Sequence, residues 1–223
     1  MLELGVKFLI SYFIGSLMGA MIMGRLSGGV DIRTMGSGNA GGTNALRTQG
    51  PLFAIGVVIV DVGKGVIGAG VVPGLDIPFV PVDPEISRTW LTVCCGAAAV
   101  FGHVWPVYHG FKGGKGAATL IGTLIIIEPQ LILGVLLVWA SILVTTGFVG
   151  LATMAAATSL PVWLAFTRLP EDQPLFIYLA VMAGCIIYWH RANIERMRTG
   201  TEHRNTKLML FRRQAAKPDD DQP

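Results

Sequence analysis

The chain has 223 residues, of which 52% are hydrophobic and only 14% charged, with a formal net charge of +3. Soluble domains carry about a quarter charged residues. Together with a mean hydropathy of +0.59, the composition excludes an ordinary soluble protein and points to a membrane protein.

Crossing the hydrocarbon core takes roughly 17–25 mostly apolar residues. Apolar stretches run over residues 4–24, 52–72, 87–106, 131–146, 148–167 and 175–189, with a shorter one over 116–127. The shorter one counts because the turn-like Glu128-Pro129 follows it and the chain must return to the other side. The expectation is an all-α integral membrane protein with seven transmembrane helices, one domain over 1–217 and a disordered acidic tail over 218–223. No basic cluster precedes the first stretch and no clear cleavage pattern follows it, so it reads as a span rather than a leader. Cys94, Cys95 and Cys185 lie inside spans and read as small core residues.

Alternating the loops between the two sides places 13 of the 17 basic residues on one face. Basic residues near span ends mark the cytoplasm, so the N-terminus is expected outside and the C-terminus in the cytoplasm. The basic segment 191–217 reads as a juxtamembrane region attracted to anionic headgroups, at about 1 kcal/mol per basic side chain. It has no aromatic interleaving and no nucleic-acid motif, so nucleic acid is not an expected partner.

After the first span comes "GSGNAGGTNALR", residues 36–47, with four glycines. Glycines permit close backbone approach, and successive N–H groups form a nest for an anion. Ser37, Gly38, Asn39, Thr43 and Asn44 add donors and bendable backbone, and Arg47 offers a two-pronged grip on phosphate. The competing reading is a plain flexible loop. In the second span Asp61 and Lys64 stand three apart and can pair, which is how a membrane tolerates such charges. The residues alone do not decide whether that pair is structural or lines a polar site.

The second polar segment is "GHVWPVYHGFKGGKGAAT", residues 102–119. Lys112, Gly113, Gly114, Lys115 and Gly116 precede a helical run, the setting in which a helix N-terminus favours anions. The Walker A spacing is absent, which argues against a nucleotide-hydrolysing engine. Both lysines have the alternative role of anchors at the membrane edge. In the sixth span Thr153 reads, taken alone, as a packing hydroxyl. The third segment, "HRANIERM", begins as the last span ends. If the helix continues, His190 and Asn193 share one face. No set of histidines, acids and cysteines has metal-ligand spacing.

Three such segments, in this order on this many spans, resemble the acyl-phosphate-dependent glycerol-3-phosphate acyltransferases of bacteria, the PlsY family. The likeness covers nearly the whole chain: "GSGNAGGTN" with Arg47, the run through "KGGKG", "HRANIERMRTGTEHR", and "DVGKG" in the second span. It implies transfer of a fatty acyl group from acyl phosphate to the 1-hydroxyl of sn-glycerol 3-phosphate, without cofactor, at the cytoplasmic face of the bacterial inner membrane. The products are lysophosphatidic acid and inorganic phosphate, in the first acylation of phospholipid synthesis.

By motif position the resemblance assigns Ser37, Arg47, Lys115, His190 and Asn193 to catalysis and the glycines of the second motif to glycerol 3-phosphate, and gives Glu202 a structural role. The sixth span departs from the family's "VSLAS"-like run: here it is "VGLAT", with Gly150 in place of a serine and Thr153 keeping a hydroxyl. A soluble acyl-phosphate-producing enzyme is a candidate partner at the basic face. The competing class is a membrane transporter of a phosphorylated solute. That class predicts charged residues at mid-depth in several helices, whereas only Asp61 and Lys64 are so placed.

Overall fold

The computed structural model describes residues 1–210, so the acidic tail and the end of the expected domain lie outside the described residues. The chain is built from helices: α1 (Leu2–Gly15), α2 (Gly19–Leu26), α3 (Gly42–Gln49), α4 (Pro51–Val66), α5 (Arg88–Val104), α6 (Ala117–Ile127), α7 (Leu131–Thr146), α8 (Val149–Thr167), α9 (Gln173–Trp189) and α10 (Arg191–Arg198). Among the described residues there is no β-strand, only an isolated bridge between Ile77 and Val80.

Among the described residues, four helical stretches are long and apolar enough to cross a membrane: Leu2–Leu26, Pro51–Gly74, Arg88–His109 and Val149–Thr167. The α9–α10 pair, bent by 51°, makes a fifth if the two are counted together. The other two expected spans are shorter. At 1.5 Å per residue, the 11 residues of α6 rise only about 16 Å, and the 16 of α7 about 24 Å, against a core of about 30 Å.

Polar clusters tie the helix ends together. At one end, the Glu3 carboxylate accepts from Lys7 Nζ at 2.8 Å and from Arg88 Nη1 at 2.7 Å. Lys7 also donates to the Pro73 carbonyl, so this cluster binds the start of α1, the end of the α4 stretch and the start of α5. A second cluster, in which Arg168 pairs with Glu128 at 2.7 Å and Asp172 at 3.3 Å, joins the ends of α6 and α8 to the start of α9.

Between the ends lies an apolar core where α5, α6, α8 and α9 meet, with Val100, Leu124, Leu164, Leu179 and Ile186 buried in it. The Thr123 and Tyr178 hydroxyls share a hydrogen bond of 2.6 Å that pins α6 to α9. A second small core packs Ile32, Ala40 and Ala45 against Met18, Phe53 and Val57. It seats the glycine-rich segment on α2 and α4 and lets residues 42–49 fold as α3 although the helix starts on a glycine, Gly42. Leu9, Leu133, Leu137, Phe166 and Val181 are exposed, the disposition lipid-facing helices require.

Candidate active site

The three polar segments converge. Arg33, paired with Asp31 at 2.8 Å, donates through Nη1 to the carbonyls of His109 and Lys112, both at 3.3 Å. The first glycine loop is thereby stitched to the second. Inside the first loop, Asn44 is the clamp: it is 1% exposed, and its Oδ1 accepts from the Ser37 N–H at 2.9 Å. Its Nδ2 donates to the carbonyls of Ile32, Met35 and Asn39. Gly36 and Gly38, at φ +56° and +71°, make the turn that leads the chain around this amide. The clamp leaves the Ser37 side chain exposed, and α3 carries Thr43 and Arg47 one turn apart.

At the second loop, Gly116 caps α6 with φ +81°, and Lys115 turns inward to donate to Asn193 Oδ1. Asn193 Nδ2 donates to Glu202 Oε1 at 2.8 Å, and Glu202 Oε2 accepts from Arg196 Nε at 2.6 Å. Lys115, Asn193, Glu202 and Arg196 thus form one chain of hydrogen bonds. Burial, reinforced by the Arg196 charge and opposed by Glu202, brings Lys115 down to about 8.

Past Trp189 the helix resumes as α10 only after a bend of 51°. The chain bends at His190, whose N–H is shared between the Ile186 and Ile187 carbonyls at 3.1 Å. Its ring Nδ1 competes for the same Ile186 carbonyl at 2.7 Å, a local bond that interrupts the helix. Asn193 still stays beside His190, its N–H donating to the His190 carbonyl at 2.8 Å. With Nδ1 donating, the neutral imidazole presents Nε2 as an acceptor. Burial, then the nearby Lys115 charge, lowers His190 to about 4, so it is neutral at physiological pH.

These groups surround a cavity of about 810 Å³. Ser37, Asn39, Thr43, Asn44, Arg47, Lys115, Gly116, Thr153, His190 and Asn193 line it, whereas Gly38, Lys112, Gly113 and Gly114 lie outside the lining. From the polar mouth an apolar arm runs between α4, α6, α7 and α8, past Ile59, Leu124, Val135, Trp139 and Leu160. Thr153 Oγ1 accepts from Trp139 Nε1 at 3.2 Å and donates to the Val149 carbonyl at 2.9 Å. Gly150 leaves room for Asn193, since a Cβ there would lie 3.0–3.1 Å from three of its atoms.

The open question about Asp61 and Lys64 resolves both ways: they pair at 3.0 Å, and Asp61 also lines the cavity. Sequence reasoning missed His103 and Arg196 in the lining. It did not foresee where the 201–210 segment packs. This segment folds back on the α7–α8 turn, with the Asn205 N–H donating to the Gly147 carbonyl at 2.8 Å and Arg204 Nε to the Thr146 carbonyl at 2.9 Å. Fixed backbone of this kind places Glu202, His203 and Asn205 on the cavity wall.

An all-helical membrane fold around a cavity that joins cations to an apolar arm defines an integral membrane enzyme of amphiphilic phosphate substrates. The glycerol-3-phosphate acyltransferase family profile matches residues 6–200. The chain is 37% identical to the glycerol-3-phosphate acyltransferase of Chlorobaculum parvum (strain DSM 263 / NCIMB 8327), over 88% of this chain and 94% of that one. It is 38% identical to that of Chlorobium phaeobacteroides (strain BS1), over 92% and 97%. Its fold superposes on a crystal structure of PlsY (YgiH), an integral membrane glycerol 3-phosphate acyltransferase, in its glycerol 3-phosphate form. That match has a TM-score of 0.76 and 32% identity, over 94% of this chain and 99% of that one. The lysophosphatidic acid form matches with a TM-score of 0.74, also at 32% identity, over 90% and 94%. The chain belongs to the glycerol-3-phosphate acyltransferase family.

Proposed function

We propose that the enzyme transfers a fatty acyl group from acyl phosphate to the 1-hydroxyl of sn-glycerol 3-phosphate, giving lysophosphatidic acid and inorganic phosphate. The observation that carries this reading is a continuous cavity that runs from a mouth with Arg47, Lys115 and Arg196 into an apolar arm. Along α8 the lining runs from Val149 to Leu160, about 16 Å of helix, close to half the roughly 30 Å hydrocarbon core and so to the depth of one leaflet. A fatty chain fits the arm, and phosphate groups suit the mouth. The related crystal structures, in glycerol 3-phosphate and lysophosphatidic acid forms, hold an acceptor and a product of this reaction.

In the reaction the acceptor hydroxyl oxygen bonds to the acyl carbon. The bond from that carbon to the phosphate oxygen breaks, and phosphate leaves with the electron pair. Arg47 and Lys115 answer the charge on the two phosphates, with Ser37 and Thr43 beside them, and hold the partners in line. His190 Nε2 accepts from the attacking hydroxyl and orients it. The proton then passes to the departing phosphate, which leaves with the electron pair and is a stronger base than an imidazole at about 4. Direct transfer needs no acyl-serine at Ser37, because the donor is already activated.

The same reading places seven passes in the bacterial inner membrane, with the N-terminus outside and the site facing the cytoplasm. Support comes from the helix ends. Glu3, Pro73 and Arg88 gather away from the site, as do Glu128, Arg168 and Asp172, while the intervening ends gather at the cavity. α6 joins a site residue, Lys115, to Glu128 and so counts as a pass despite its length. Exposed Lys112, Arg191 and Arg198 give the cytoplasmic face a charge suited to a soluble acyl-phosphate-producing enzyme.

The test is turnover by the detergent-purified chain with palmitoyl phosphate and glycerol 3-phosphate, read as inorganic phosphate and lysophosphatidic acid. Activity with palmitoyl-CoA and none with palmitoyl phosphate would refute the donor. Labelled acyl-enzyme trapped without glycerol 3-phosphate would refute direct transfer.

A further inference from the structure

One buried polar cluster on the cavity wall takes no part in the chemistry above. Asp61 on α4 and His103 on the last turn of α5 both line the cavity and are 1% and 2% exposed. Asp61 Oδ1 accepts from the Gly19 N–H at 3.1 Å and lies 3.0 Å from Lys64 Nζ. Lys64 is held in turn by the Leu17 carbonyl at 2.9 Å. The carboxylate is thus fixed from two helices, and His103 Nδ1 stands 3.4 Å from the same oxygen. That nitrogen is buried and has no hydrogen-bond partner among the described residues, so the Asp61 charge is what faces it.

The other edge of the ring faces the second glycine loop. A Cβ on Gly114 would run into His103 Nε2, and one on Gly113 into the His103 carbonyl. The main chain is tied at the same place: the Gly114 N–H donates to the His103 carbonyl at 3.2 Å, and the Gly113 N–H to the Val104 carbonyl at 3.1 Å. The next residue is Lys115, whose ammonium reaches Asn193. Burying an imidazole against a carboxylate costs free energy that an apolar residue of similar size would not. What the polar pair adds is a single ring orientation, the role a carboxylate plays behind an active-site histidine.

We propose that His103, oriented by Asp61, is a positioning residue: its ring is the bed on which Gly114 rests, its carbonyl backs Gly113, and together they fix where the Lys115 ammonium stands in the cavity. The inference rests on the role given to Lys115 under the proposed function.

The test is a double-mutant cycle on the full-length chain, read as kcat for acyl transfer. His103→Leu, which fills the space without a ring N–H, should lower kcat about 10- to 100-fold, the penalty of a small misplacement. His103→Asn, which carries a donor near the Nδ1 position, should recover at least about tenfold of that loss, so the polar contact rather than the volume is what counts. In a Lys115→Ala background His103→Leu should cost less than about twofold, because groups that act as a unit are not additive. Wild-type turnover in His103→Leu, equal losses in the Leu and Asn variants, or full additivity with Lys115→Ala would overturn the inference while leaving the function standing. Unchanged turnover in Lys115→Ala alone would overturn both the role of Lys115 and the inference. Should His103→Leu fail to fold, the isosteric Asp61→Asn takes its place in the cycle: a loss that shrinks in the Lys115→Ala background supports the inference, and full additivity overturns it.

Discussion

The Lys115 ammonium donates to the side-chain carbonyl of Asn193 across 78 residues of sequence. The Asn193 amide completes the link by donating to Glu202 at 2.8 Å. One short side chain therefore joins the second glycine loop, the helix after the last span and the segment that folds back over the site. Asn193→Ala should lower kcat by about 100-fold, since both the lysine and the glutamate lose their fixed neighbour. Stability should fall by about 1–3 kcal/mol, the cost of unpaired buried polar groups. Kinetics and thermal unfolding of the same detergent preparation check both; a kcat within threefold of wild type would remove Asn193 from the site.

The pH dependence of kcat follows from the lysine. Its pKa is lowered from 10.5 to about 8, so the cationic form is present below that value and is lost as pH rises through it. Turnover should therefore decline above pH of about 8, and in Lys115→Arg the decline should move beyond the measurable range because guanidinium stays charged. His190, at about 4, is already neutral at pH 5 and should add no acid limb between pH 5 and 7. A profile flat to pH 10 would contradict the lowered pKa of the buried Lys115.

Much of this was legible in local pattern, because apolar runs of the right length make α4, α5, α8 and α9 visible. The two glycine loops and the His190–Asn193 pair were visible as polar residues that an oily chain has no packing reason to keep. What local pattern does not carry is pairing over long separations. α3 is stabilised by Ala45 packing in the small core with Ile32 and Phe53, not by its own apolar content. The bend at His190 depends on one ring nitrogen finding the Ile186 carbonyl. The backfolding of the 201–210 segment depends on the Gly147 carbonyl, a partner more than fifty residues away that basic composition does not reveal.

Gly150 tests how tightly Asn193 is seated. A Cβ at this position would lie 3.0 Å from Asn193 Nδ2 and 3.1 Å from two of its carbons, closer than side chains normally pack. Gly150→Ala should push Asn193 off Lys115 and reduce kcat about tenfold. The helix itself should tolerate the change, since alanine is the better helix former. Full activity in Gly150→Ala would show that Asn193 has slack the present geometry does not display.

Arg47 offers the cleanest separation of function from stability. It stands exposed on α3 and lines the cavity, and among the described residues its guanidinium makes no hydrogen bond or ion pair. A cation so placed contributes little to folding: removing an exposed, unpaired side chain typically changes stability by under about 0.5 kcal/mol. A guanidinium that grips phosphate through charge-assisted, two-pronged hydrogen bonds contributes much to binding and transfer. Arg47→Ala should unfold at the wild-type temperature and lose about 100-fold or more in kcat/KM for glycerol 3-phosphate. Arg47→Lys should recover only part of the loss, because an ammonium restores the charge but not the fork. Steady-state kinetics with each substrate varied in turn will also locate the contact. A rise in KM confined to acyl phosphate would put Arg47 on the donor's phosphate, and unchanged kinetics for both substrates would remove Arg47 from the site.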